Sequence, residues 1–113
     1  MSFDGLLVDR ARIIRLAMAA DSLGGQKRTE AIMAVNVHCR VEGLKGMERA
    51  MLGSQGVAVT HRIYMRAPAC GVTEADELEI GQVLVTRYLV RWVNNVAGHH
   101  LELDCEEYRD GRS

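Results

Sequence analysis

Proline is nearly absent from this chain: one residue in 113. Proline has no backbone N–H to donate to a strand ladder, and one such residue excludes a proline-rich chain. An excess of basic residues is also missing. The formal net charge is −1, and Lys and Arg are spread along the chain among balancing acids. That excludes the clustered positive footprint expected of a domain that grips nucleic acid. Cysteine is scarce and odd in number, with Cys39, Cys70 and Cys105 and no CxxC pair. Together with an N-terminus, Met1 to Gly5, that lacks a charged-then-apolar leader, this predicts free thiols in a reducing compartment and synthesis in the cytoplasm. No apolar run approaches the ~20 residues of a membrane-spanning helix, and no membrane partner is expected.

What is present fits a folded domain. Apolar residues make up 48% and charged residues 26%, too apolar for disorder. A chain of 113 residues holds one hydrophobic core, so residues 1–113 are expected to form a single domain. Eleven glycines punctuate the sequence, as short strands and turns require.

The dominant signal is alternation with a period of two. From Glu30 to Glu42, one parity carries Ala31, Met33, Val35, Val37, Cys39 and Val41. The other carries Glu30, Asn36, His38, Arg40 and Glu42, with Ile32 and Ala34 as exceptions. A pleated strand places these sets on opposite faces, whereas a helix would smear them around its circumference. From Gly56 to Ala67, Val57, Val59, His61, Ile63 and Met65 share one parity, and Thr60, Arg62, Tyr64 and Arg66 the other. Val83 to Val96 reads as a third strand, with Tyr88 and Trp92 on one parity, which points both to a core or an interface. His99 to Tyr108 reads as a fourth, with Leu101, Leu103 and Cys105 opposite His100, Glu102, Asp104 and Glu106.

Ala97-Gly98 joins the last two as an antiparallel hairpin. Asp76 to Ile80 is a short strand turned by Gly81-Gln82 into the next. Arg10 to Ala20 has mixed character but ends in the turn cluster Asp21-Ser22-Leu23-Gly24-Gly25, which favours a strand. Two loops are expected, Asp21 to Thr29 and Leu44 to Gln55, with a polar mobile tail from Glu107 to Ser113. About six short, mostly antiparallel strands predict an all-β fold, a small barrel or sandwich whose closure removes exposed edges.

The chemistry-bearing residues do not form a persuasive active site. His99 and His100, adjacent on a strand, would point to opposite faces, as would His38 and Cys39, so neither pair is expected to chelate one ion. Glu102, Asp104 and Glu106 share a face but suggest a solvated surface or subunit contact rather than a desolvated acid–base pair. Gly24-Gly25-Gln26-Lys27-Arg28-Thr29 lacks the strand–loop–helix setting of a phosphate cradle and reads as a surface turn. No catalytic, cofactor-binding or metal-binding residue is assigned, and the chain is expected not to be an enzyme.

Four segments taken together carry a resemblance: Thr60-His61-Arg62-Ile63-Tyr64-Met65-Arg66, Asp76-Glu77-Leu78, Tyr88-Leu89-Val90-Arg91, and Gly98-His99-His100-Leu101-Glu102-Leu103. In order and spacing, best from Gly56 onward, the chain resembles the head–tail joining (head-completion, or stopper) proteins of tailed bacteriophages. It departs from the pattern in lacking a tryptophan within Gln26 to Ala34, and its Leu44 to Gln55 loop matches no specific motif.

The resemblance implies a β-barrel subunit of a homo-oligomeric ring, commonly hexameric, in the virion neck. Its neighbours would be the portal or adaptor ring above and the tail or tail-terminator proteins below. Genomic DNA would occupy the channel without sequence-specific contact. It also implies a channel-gating loop, which falls on Leu44, Lys45, Gly46, Met47, Glu48, Arg49, Met51, Leu52, Gly53 and Gln55. The apolar members would pack on symmetry mates, and Gly43, Gly46, Gly53 and Gly56 would serve as hinges. Two other readings remain open: another neck or tail component such as a tail terminator, and a small β-barrel binding module for a nucleic acid or peptide.

Overall fold

The structure, a computed structural model, describes residues 3–20, 23–44, 59–81 and 83–108, without the side chains of Ala19, Ala20, Lys27 and Arg28. A 3-10 turn, Asp4–Leu6, precedes six strands: β1 (Asp9–Ala20), β2 (Gln26–Gly43), β3 (His61–Met65), β4 (Asp76–Ile80), β5 (Thr86–Val96) and β6 (His100–Tyr108). They close into a barrel in the order β1-β2-β3-β6-β5-β4, with every neighbouring pair antiparallel. The expected all-β fold of about six strands is therefore the observed one, and it is a barrel rather than a sandwich.

Alternation drives closure. Ala11 and Ile13 of β1, Cys39 of β2, Ile63 and Met65 of β3, Leu78 and Ile80 of β4, Tyr88 and Val90 of β5, and Leu101, Leu103 and Cys105 of β6 all point inward and form one buried cluster. Each strand lends its apolar parity to that core, and the other parity covers the outside with charge.

Two irregularities break the simple period. Along β2, Asn36 and Val35 together oppose the single residue Arg12 of β1, and a further extra residue, Met33, falls between Ala34 and Ile32. Asn36 takes a left-handed φ of 55° at the first bulge. The single apolar face read from Ala31 to Val41 is thereby split. Val37, Cys39 and Val41 keep contact with the core, whereas Val35 is turned out and Ala34 packs in instead. On β5 the register slips between Val90 and Trp92. Tyr88 is consequently buried and Trp92 is 59% exposed, although simple alternation puts them on one face.

Several boundaries also move. β5 begins at Thr86, leaving Val83, Leu84 and Val85 in an exposed connection instead of a strand. β2 begins at Gln26, so the expected loop from Asp21 to Thr29 is confined to 21–25. Glu107 and Tyr108 belong to β6 and not to a tail. Ala97 (φ 53°) and Gly98 (φ 73°) form the tight β5–β6 turn, closed by the His99 N–H donating to the Val96 carbonyl at 2.8 Å. Gly81 is required by its surroundings: at φ 127°, a Cβ would sit 2.2 Å from the Leu84 carbonyl oxygen.

β1 and β2 outgrow the barrel. β4 pairs with β1 only from Ala11 to Arg15, and β3 pairs with β2 only from Cys39 to Gly43. Beyond those limits the two strands continue as a two-stranded arm, paired with each other out to Ala20 and Gln26. At about 3.4 Å per residue, Leu16 to Ala20 alone carries the arm roughly 17 Å past the last rung of β4. The chain is accordingly elongated, at 54 × 33 × 32 Å.

Candidate interaction surface

The arm has an apolar stripe on one face. Cross-strand pairing sets Ile14 opposite Ile32 and Leu16 opposite Glu30, with Met18 two residues further along. Ile14 is buried at the root, but Ile32 is 58% and Met18 60% exposed. Val35, next to the Asn36 bulge, is exposed as well. A shallow open depression of about 370 Å³ lies below it, lined by Arg10, Arg12, Val35, Asn36, Glu79 and Val85 among others. Val83 and Leu84, exposed in the β4–β5 connection, extend the apolar character of this region. Single exposed aliphatic residues are ordinary on a protein surface, but a run of them on an unsupported two-stranded ribbon is not.

Ion pairs fix the root of the arm. The Arg15 guanidinium donates to both carboxylate oxygens of Asp76, at 2.7 and 3.0 Å. The Thr73 N–H donates to Asp76 as well, at 2.8 Å. Burial alone would raise the Asp76 carboxyl, but these donors bring it below its ordinary value. On the outer face Arg87 bridges Glu79 (2.6 Å), Glu30 (2.9 Å) and Glu77 (3.0 Å), and Arg12 also donates to Glu79. These contacts tie arm strand β2 to β4 and β5 through side chains, where no backbone ladder joins them.

The carboxylates of β6 share the outer face as expected, and each has a basic partner. Arg62 donates to Asp104 at 2.8 Å, Arg91 to Glu106, and His100 Nε2 lies 3.1 Å from Glu102. Each carboxylate is thus partly shielded on the outer face beside its partner.

The two adjacent histidines do not diverge. His99 lies in the turn and not on the strand, which brings its Nδ1 to 2.8 Å from Nδ1 of His100. Phe3 packs on both rings, and Arg66 ties this corner to Asp4 and to the His99 carbonyl. Sequence spacing missed this because it assumed an extended backbone at His99. No group of three or more potential metal ligands occurs among the described residues. His38 is exposed and Cys39 buried, on opposite faces. Burial pushes the Cys39 thiol up to about 12 and raises Cys105 further, so both are inert thiols at neutral pH.

Of the gating-loop residues, Leu44 alone is described. It is 6% exposed, and its N–H donates to the Thr60 carbonyl at 3.0 Å. Lys45, Gly46, Met47, Glu48, Arg49, Met51, Leu52, Gly53 and Gln55 lie outside the described residues. The arm was missed as a candidate surface. Its signal was available in the uncharged run Ala31-Ile32-Met33-Ala34-Val35, which has no polar parity to turn toward water.

Fold and surface together define a small closed antiparallel β-barrel carrying a β-hairpin arm. The chain is similar to the solution structure of protein SF1141 from Shigella flexneri 2a, with a TM-score of 0.75 and 20% sequence identity. The likeness covers 97% of this chain and 99% of that one, and at this identity it speaks to the fold alone. No protein-family model matches the chain, and no curated protein matches it.

Proposed function

We propose that the chain is a structural subunit of a homo-oligomeric ring in the neck of a tailed phage, where it closes the DNA exit channel after packaging and offers the tail a docking surface. The observation that carries this reading is the arm: a ribbon with exposed Met18, Ile32 and Val35 and no strand to cover its edges among the described residues. A subunit built to meet copies of itself has use for such a ribbon, and a self-contained monomer does not. The order of strand motifs from Gly56 onward directs the reading to head-completion proteins. The portal or adaptor ring and the tail are then the partners, and the virion neck is the location. A plug would fall on residues 44–56. Its apolar contacts would come from Leu44, Met47, Met51 and Leu52.

Cryo-electron microscopy of DNA-filled heads or intact virions containing this chain tests the proposal. A ring of copies between adaptor and tail, with residues 44–56 facing the axis, is the expected result. Absence of the chain from the neck would remove this function and leave the binding-module reading.

A further inference from the structure

Both edges of the arm are open. On β1 the ladder to β4 ends at Arg15 and the Leu16 N–H donates to the Ala75 carbonyl at 3.3 Å, leaving residues 17–20 paired on one side only among the described residues. On β2 the ladder to β3 covers Cys39 to Gly43, leaving residues 26–38 without a second strand among the described residues. Natural edges are usually blunted by proline, by inward charge or by a covering element. Here the chain's one proline is Pro68, and Ala31 to Val35 contains no charge.

The molecule also exposes more surface than a compact monomer of its mass. Its accessible area is 7439 Å², against about 6,200 Å² expected for 12.5 kDa. The excess of about 1,200 Å² lies between one and two standard interface contributions of about 800 Å² per partner. The Cα radius of gyration, 15.1 Å, exceeds the roughly 13 Å of a compact domain of this length in the same sense.

We infer that arms of successive copies pair edge to edge, β2 of one copy against β1 of the next, so that the hairpins form a shared β-wall around the ring axis. The inference rests on the ring reading above. Cyclic symmetry preserves strand direction along the axis, so every β1 runs one way and every β2 the other. Each contact between copies is then antiparallel, like the contact within the hairpin. Pairing β2 with β2 about a two-fold axis would stop at two copies and leave residues 17–20 of both arms open. Head-to-tail pairing uses both edges of every arm, and in a closed ring the short free edge of each β1 is covered by an equal length of the neighbouring β2. Met18 and Ile32 of adjacent arms then cover one another along the wall.

The test uses the full chain at the highest concentration at which it stays soluble, with sedimentation velocity and hydrogen exchange in parallel. The expected result is a closed species of more than two copies, in which amides of residues 17–20 and of the facing stretch within 26–35 exchange at least about tenfold more slowly than in dilute protein. Ile32→Lys and Met18→Lys both lie on exposed positions, so each should retain the barrel's melting temperature while weakening association about a hundredfold. A monomer or a dimer as the largest species overturns the inference, as does a ring that persists in both variants with fast-exchanging arms. A virion ring whose arms stand apart would overturn arm pairing while keeping the neck function. A closed arm-paired ring from a chain absent from the neck would do the reverse.

Discussion

Arg15 grips Asp76 at the point where the arm leaves the barrel: two hydrogen bonds, 2.7 and 3.0 Å, hold a carboxylate whose side chain has no solvent exposure. Arg15 is the last β1 residue on the β4 ladder, so the pair fastens the final rung before the arm stands alone. Arg15→Ala removes the partner of a buried charge and should cost about 3 kcal/mol in chemical denaturation. Arg15→Lys should recover only part of this, because an ammonium cannot reproduce the forked contact. A cost below about 0.5 kcal/mol for the alanine variant would show that the pair does not fasten the arm.

The same pair predicts an acid dependence. The Asp76 carboxyl is held below its ordinary value of 3.8, so the folded state binds that proton less readily than the unfolded chain. Its stabilising contribution is fully present above that value and is lost as pH falls through the lower folded-state value. Glu79, drawn down by Arg87 and Arg12, contributes in the same direction. Unfolding free energy should therefore fall below about pH 4, and more steeply in the wild type than in Asp76→Asn, which has already lost the charge. Parallel slopes for the two proteins between pH 4 and pH 2 would contradict the assignment.

The β5 bulge separates two aromatic residues that a plain alternation would group. Tyr88→Ala should cost about 3 kcal/mol or more, since it opens a cavity in the core. Trp92→Ala should change stability by less than about 0.5 kcal/mol in the monomer. Trp92 is the chain's single tryptophan, so its emission should resemble that of a solvated indole and be readily quenched by acrylamide.

The β5–β6 turn is built on an alanine in a conformation alanine disfavours. Ala97 has φ 53°, where asparagine followed by Gly98 is the preferred pair. Ala97→Asn should stabilise the protein by about 0.5–1 kcal/mol, and Ala97→Val should destabilise it by more. Thermal melts of the two variants should bracket the wild type.

Thiol accessibility offers an independent check on barrel closure. Cys39 and Cys105 lie in the core with raised titration points, whereas Cys70 is half-buried in the β3–β4 connection. A thiol reagent at neutral pH should modify Cys70 rapidly in the native state and reach the other two on unfolding. Fast labelling of all three would mean that the barrel opens readily.

The sequence by itself determined which strands exist and, where no bulge intervenes, which of their faces point inward. Leu101, Leu103 and Cys105 against Glu102, Asp104 and Glu106 is a pattern that only a half-buried strand satisfies, and β4 coincides with Asp76 to Ile80 to the residue. These outcomes were legible because hydrophobic burial acts on each residue with a period set by the local backbone. Tertiary structure decided what depends on pairing. The bulges at Asn36 and beyond Val90 are mismatches between neighbouring strands, and no single strand's alternation contains them. The meeting of His99 and His100 required a turn geometry set by Ala97 and Gly98. The arm exists because β1 and β2 are longer than the strands that flank them, a comparison between segments distant in the chain. The edges it leaves open follow from that difference in length, since a strand is covered only as far as its neighbour reaches.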